Sequence, residues 1–175
     1  MAAAEVIVNA LLSHSGHITV YIPRYALSAG LIIALVGQNI ITEENAFLGP
    51  ADPQLSLRFT TISAVNLKKF TERVTSGKLS WIRDLCSLLL PWAATCITRA
   101  MTLVEKICVA RNWEPEEVRY LWAEFFEGKY NHDQPIFYNE AKKTLPLLSQ
   151  KDDRELYDLF VAHTSSKSSP KAAMF

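Results

Sequence analysis

This chain lacks an excess of either charge. Its 18 Lys and Arg balance its 18 Asp and Glu, so no net field draws in nucleic acid or an anionic membrane. No basic stripe with interleaved aromatics is present, which sets nucleic-acid binding aside. Cysteine is scarce: Cys86, Cys96 and Cys108 are the three in the chain. Their number is odd and their spacing fits neither a zinc site nor a disulfide scaffold, so no metal is expected. All three fall in one apolar helical stretch, where a free thiol acts as a small hydrophobe. That usage fits a reducing, cytoplasmic setting. A phosphate loop, a dinucleotide fingerprint and paired carboxylates for glycoside chemistry are also lacking, and no cofactor is expected. Long apolar runs are absent too. Residues 85–98 carry no charge, but they are too few to span a bilayer, which needs about 20 helical residues. They include Ser87, Pro91, Thr95 and Thr98, so a buried helix is expected and membrane association is not indicated. The start, Met1-Ala2-Ala3-Ala4-Glu5, has no basic region ahead of an apolar run and does not read as a signal peptide.

What is present suits one domain with a real core: 175 residues, 49% hydrophobic and 21% charged. Residues 3–14 read as a helix, with Ala4, Ile7, Val8, Leu11 and Leu12 at helical spacing. Ile18, Val20 and Ile22 mark a short strand that Pro23 stops. The small apolar stretch 28–36 fits a helix buried all round or a strand, and Ser28, a good N-cap or first-turn residue, favours the helix. Residues 39–42 read as another strand, followed by a proline-rich loop through Gly49, Pro50, Asp52 and Pro53. The order helix, strand, helix, strand argues for a crossover α/β sheet over residues 1–60. The remainder, 61–163, reads as helical. Helices are expected over 62–75, over 80–111 with a break near Pro91, and from Pro115 to a stop at Gly128. The tail 164–175 reads as disordered. Trp81, Trp92, Trp113 and Trp122 read as core or interface packing.

Two stretches carry a family resemblance. The first runs from His17 through Pro23, Ala26, Ser28, Ala29 and Gly30, then through Leu48-Gly49-Pro50-Ala51-Asp52-Pro53-Gln54. The second is Gly128-Lys129-Tyr130-Asn131-His132-Asp133-Gln134-Pro135-Ile136, with Glu140-Ala141 downstream. Together they resemble the serine dehydrogenase proteinase family, a branch of the ClpP-like clan related to signal peptide peptidase A. One departure is Leu31, where that family usually has Thr. The resemblance implies a ClpP/crotonase-like crossover sheet with a helical C-terminal half. It also implies a missing N-terminal part, because family members begin with a strand and a Pro-Gly-Gly turn, whereas no two glycines are adjacent here.

The resemblance implies a serine peptidase acting on a peptide or protein substrate, with Ser28 as nucleophile. On spacing alone, Ser28 reads as a plain N-cap. In the family position it opens a helix, where free N–H groups favour negative charge and the Ala29 N–H can meet an oxyanion. A serine also needs a base. Lys68 and Lys69, on the helix after the Asp52-Pro53-Gln54 loop, are the candidates, provided one is desolvated. The loop-rim residues Asp52, Gln54, His132 and Asp133 read as structural. Asp52 would take backbone N–H groups in an Asx-type turn, and His132 is a less favoured base. The rival expectation is a catalytically dead relic or fragment serving as an oligomerisation or partner-binding module. An incomplete sheet edge points to homo-oligomers.

Overall fold

The computed structural model describes residues 2–74 and 80–167. The first helix, α1 (Ala2–Leu12), buries Ala4 and Val8, one turn apart on a single face. Strand β1 (Thr19–Ile22) ends at Pro23, and β2 (Tyr25–Ala26) resumes beyond it. A short helix, α2 (Ala29–Ala34), then returns the chain to β3 (Asn39–Thr42) and β4 (Phe47–Leu48). Next come the hairpin strands β5 (Gln54–Ser56) and β6 (Thr61–Ser63), then helices α3 (Ala64–Arg73), α4 (Ser80–Ser87), α5 (Leu90–Ala110) and α6 (Pro115–Phe125). The chain closes with β7 (Ile136–Phe137), α7 (Tyr138–Ala141), β8 (Leu148–Gln150) and α8 (Arg154–Lys167). Helix outweighs strand, and the strands gather into small sheets. The fold is therefore a mixed α/β one.

One sheet has the order β1-β3-β8 and is parallel throughout. A second has the order β2-β4-β7, with β2 parallel and β7 antiparallel to β4. The two are successive parts of one ribbon. Thr42 of β3 pairs with Ile22, Glu43 N–H still reaches the Ile22 carbonyl, and Phe47 N–H reaches that of Arg24. The strand β3 is central, and Ile40 at its middle is fully buried. Ile40 belongs to the main core together with Leu31 and Ile32 of α2, Leu35 at the end of that helix, Ile107 of α5, Leu121 and Phe125 of α6, and Leu148 of β8. A smaller core joins the hairpin and α3 to the start of α5 through Leu55, Ala64, Leu67 and Ala93.

The region 61–163 is not wholly helical. It contributes β6, β7 and β8. These strands have two or three residues each, too few for an alternating pattern to show. The strand β6 closes a hairpin with β5, while β7 and β8 form because β4 and β3 offer unpaired backbone to whatever passes beside them. The break in the long helix falls at residues 88–89, and Pro91 lies in the first turn of α5, where its missing N–H costs nothing. Trp113 and Trp122 pack on the main core, but Trp81 and Trp92 are 64% and 63% exposed and so are not core residues. Helix α8 continues through Lys167, four residues into the stretch read as a tail. Residues 168–175 lie outside the described residues. Among the described residues no single helix is long and apolar enough to cross a membrane.

Because Ile40 is wrapped on every side, Ile40→Ala should cost about 2–5 kcal/mol. The urea midpoint should fall with an unchanged m-value.

Candidate active site

Ser28 lies at the junction of β2 and α2, and its backbone is unusual. Its φ is 50° and its ψ is −120°. The Gly30 N–H donates to the Leu27 carbonyl at 2.8 Å, closing a tight turn. Those angles belong to the second position of a type II′ turn, which normally demands glycine. A non-glycine residue held there stores roughly 1–3 kcal/mol of strain. The Ser28 carbonyl accepts from Leu31 and Ile32 and so starts α2, while its hydroxyl makes no capping bond. The hydroxyl therefore does not serve as a plain N-cap of the helix it precedes. Ser28 is half-buried, not sealed in the core. The Ala29 N–H follows at the first position of α2 and has no hydrogen-bond partner among the described residues.

The turn is held from behind. Gly49 N–H donates to the Ala26 carbonyl at 3.0 Å, and Ser28 N–H donates to the Pro50 carbonyl at 3.0 Å. The parallel pairing of β2 with β4 thus runs on to Ser28 itself. Gly49 permits it: a Cβ there would come within 2.1 Å of Leu27 Cδ2. The same atom would lie 3.6 Å from the Gln134 carbonyl, so the loop bearing His132 rests against this point.

Asp52 follows two residues after Pro50 and is 2% exposed. Its carboxylate does not collect backbone N–H groups, as an Asx-type turn would require. Its Oδ2 accepts from the side-chain amide of Gln54 at 2.7 Å, and its Oδ1 lies 2.7 Å from His132 Nδ1. Gln54 Nε2 also lies 3.1 Å from His132 Nδ1. Two donors cannot face each other, and the shorter contact to a carboxylate is the stronger. Nδ1 therefore carries the proton and donates to Asp52, and Gln54 bonds Asp52 alone. This tautomer leaves Nε2 of His132 as an acceptor, with the side chain 36% exposed.

Strand direction brings these residues to one edge. Ser28 follows the C-terminal end of β2, and Asp52 follows that of β4, which runs parallel. His132 precedes β7, which runs antiparallel, with Leu48 opposite Ile136. All three therefore leave the β2-β4-β7 sheet at the same end. Asp133 is exposed beside them. The two lysines lie elsewhere on α3. Lys68 is exposed and 3.9 Å from Glu72, while Lys69 Nζ donates to the Glu127 carbonyl at 2.7 Å. The sequence reading missed the partnership of His132 with Asp52, 80 residues apart. The one available signal was an acidic residue in a loop otherwise made of Gly, Pro and Ala.

The sequence profile of the ClpP-like SDH-type serine proteinases matches residues 1–171. The chain belongs to this family. It is similar to two uncharacterized proteins of Methanocaldococcus jannaschii. MJ0137 is 34% identical over 81% of this chain and 46% of its own length. MJ1495 is 27% identical over 90% of this chain and 51% of its own length. The chain thus spans about half the length of these relatives. No solved structure matches it.

In this ClpP-like chain the His132 loop is pinned at its root. Gly128, three residues beyond the end of α6, turns the chain with a φ of 66°, a conformation glycine adopts freely. Lys129 Nζ donates to Glu124 Oε2 at 2.7 Å. The Tyr130 hydroxyl lies 2.5 Å from Glu124 and 2.7 Å from Glu140, so its one proton serves one carboxylate at a time. Burial alone would raise the Glu124 pKa, but the bonds from Lys129 and Tyr130 outweigh it and hold the carboxyl below its ordinary range. Burial, followed by the Glu124 contact, pushes Tyr130 up to about 12.

Two outcomes follow from this geometry. Ser28→Gly should relieve the turn and raise stability by about 1 kcal/mol, measured by thermal melting, although it deletes the hydroxyl. The Glu124 clamp has a depressed folded pKa. Its contribution is complete above the ordinary carboxylate value of about 4.3 and is lost as pH falls through the lower folded value. Amide exchange over residues 128–133, corrected for intrinsic rates, should accelerate in that acid window. The step should vanish in Lys129→Met.

Proposed function

We propose that this chain is a serine peptidase that cleaves peptide bonds through an acyl-enzyme on Ser28, with His132 as general base and Asp52 as the carboxylate that orients it. The observation that carries this reading is the 2.7 Å contact between His132 Nδ1 and a buried Asp52, at the sheet edge where the strained Ser28 turn emerges. In the proposed reaction, Ser28 Oγ attacks the scissile carbonyl and its proton passes to His132 Nε2. The charge on the carbonyl oxygen builds up beside the Ala29 N–H. His132 then gives the proton to the departing amine. Water, deprotonated by the same nitrogen, releases the acyl group and restores the serine. Asp52 stays ionised, keeps Nδ1 protonated and offsets the imidazolium charge.

The lysines fit less well. A lysine base must be neutral, which requires desolvation. Lys68 is exposed beside Glu72, and the Lys69 ammonium is committed to the Glu127 carbonyl. A second reading, a non-catalytic relic, is supported by the lack of a capping bond or any other hydrogen bond from the Ser28 hydroxyl, to His132 included, among the described residues. The ClpP/crotonase-like crossover arrangement is supported by the parallel β1-α2-β3 connection.

A fluorophosphonate probe separates the readings. Labelling should occur, and it should disappear in Ser28→Ala. It should slow by about 10³–10⁴ in His132→Ala and Asp52→Asn, and change less than about twofold in Lys68→Met and Lys69→Met. Folded protein that never labels would support the relic. Loss confined to Lys69→Met would transfer the base role to that lysine.

A further inference from the structure

At the opposite end of the β1-β3-β8 sheet from Ser28 lies a cavity of about 300 Å³. It opens between the turn joining α5 to α6 and the residues that lead into β3 and β8. Arg111, Asn112 and Trp113 line one side, Glu117 projects from α6, and Gln38 and Leu147 form the sheet side. The volume sits at the small end of the range for ligand sites, about 300–1,000 Å³.

The polar groups around it are fixed by bonds that leave their other donors free. Arg111 Nε donates to the Val36 carbonyl. That bond anchors the guanidinium and leaves both terminal nitrogens without a protein partner among the described residues. Gln38 Oε1 accepts from the Ile18 N–H at 2.8 Å, so its amide NH₂ remains available. Glu117 Oε2 accepts the Glu114 N–H at 2.9 Å, as part of the cap of α6, and its second oxygen is unoccupied. Asn112 holds a left-handed φ of 55° at the corner between the helices, and its side chain makes no bond among the described residues. Arg111 and Glu117 line the same cavity, yet no ion pair joins them within 4.0 Å. A fixed cation and a fixed anion that do not neutralise each other match a ligand carrying both charges a short distance apart. Trp113, Pro146 and Leu147 add an apolar wall.

We propose that this cavity binds a free amino acid or a dipeptide through its zwitterionic ends. Arg111, helped by Gln38 and Asn112, takes the α-carboxylate. Glu117 takes the α-ammonium, and the side chain lies along Trp113 and Leu147. The site does not depend on the Ser28 chemistry, because it is built from other elements at the other end of the sheet.

The test uses the full chain carrying Ser28→Ala, so that no probe is turned over. L-leucine and L-alanyl-L-leucine are titrated by calorimetry, beside N-acetyl-L-leucine and L-leucine amide. Both zwitterions should bind, and each capped form should bind at least about tenfold more weakly. Arg111→Met should abolish the penalty for amidation. Glu117→Gln, which keeps the capping bond of α6, should abolish the penalty for acetylation. If Arg111→Met does not fold, Glu117→Gln carries the test alone. Amide shifts on binding should fall on Gln38, Asn112 and Trp113. Three results would overturn the proposal: no binding by either zwitterion up to about 10 mM, equal binding by the capped forms, or shifts centred on residues 27–30.

Discussion

The structure depends on the parallel alignment of residues 24–28 with 47–50. Three hydrogen bonds carry it: from Phe47 to Arg24, from Gly49 to Ala26, and from Ser28 to Pro50. It ends at a point where neither chain can continue as a strand. One side turns into α2 through a serine held in a glycine-type conformation, and the other turns into Pro50-Ala51-Asp52-Pro53. Because the strands are parallel, both turns emerge at the same edge. An antiparallel pair would have put them at opposite ends. The candidate nucleophile and the buried carboxylate leave the sheet at one edge for this reason.

The third member arrives by a different route. Ala51 N–H donates to the Phe125 carbonyl at 2.8 Å, which ties the acidic loop to the end of α6. Gly128 then turns the chain, and Lys129 and Tyr130 anchor it to Glu124. The following loop passes over Gly49 before β7 adds to β4. Glycine at position 49 serves two contacts at once, the Leu27 side chain and the Gln134 carbonyl. The cost of burying Asp52 is offset by Gln54 and His132, one bond to each oxygen. A buried carboxylate with that many partners holds the imidazole in one tautomer and one orientation. Strain at Ser28 is the counterpart: a local cost, kept in place by the surrounding bonds, at a serine whose hydroxyl does not cap its own helix.

Much of this was legible in the residues. Val8 and Ala4 at helical spacing, the β-branched run ending at Pro23, and the small apolar stretch after Ser28 each gave the right element. The motifs around Ser28, Asp52 and His132 pointed to the family whose profile covers the chain. The strands β7 and β8 were not legible, because two or three residues carry no period. That Trp81 and Trp92 lie outside the core was not legible, because large apolar residues at helical spacing look the same whether the face is covered or open. The bonding partners of Asp52 were not legible for a related reason. A loop aspartate next to proline suggests a local turn, and nothing local reveals an imidazole arriving from 80 residues away.

The sequence by itself determined the class of fold, the family, and the few residue types able to do acyl-transfer chemistry. Those are properties of local preference and of motif. The tertiary structure alone decided which of them meet. Strand direction and register, which depend on pairing between distant segments, brought His132 to Asp52 and left Lys68 and Lys69 with other partners. The same long-range packing left Arg111 and Glu117 facing one cavity unpaired. Such outcomes follow from how the chain closes on itself, and no window of neighbouring residues contains them.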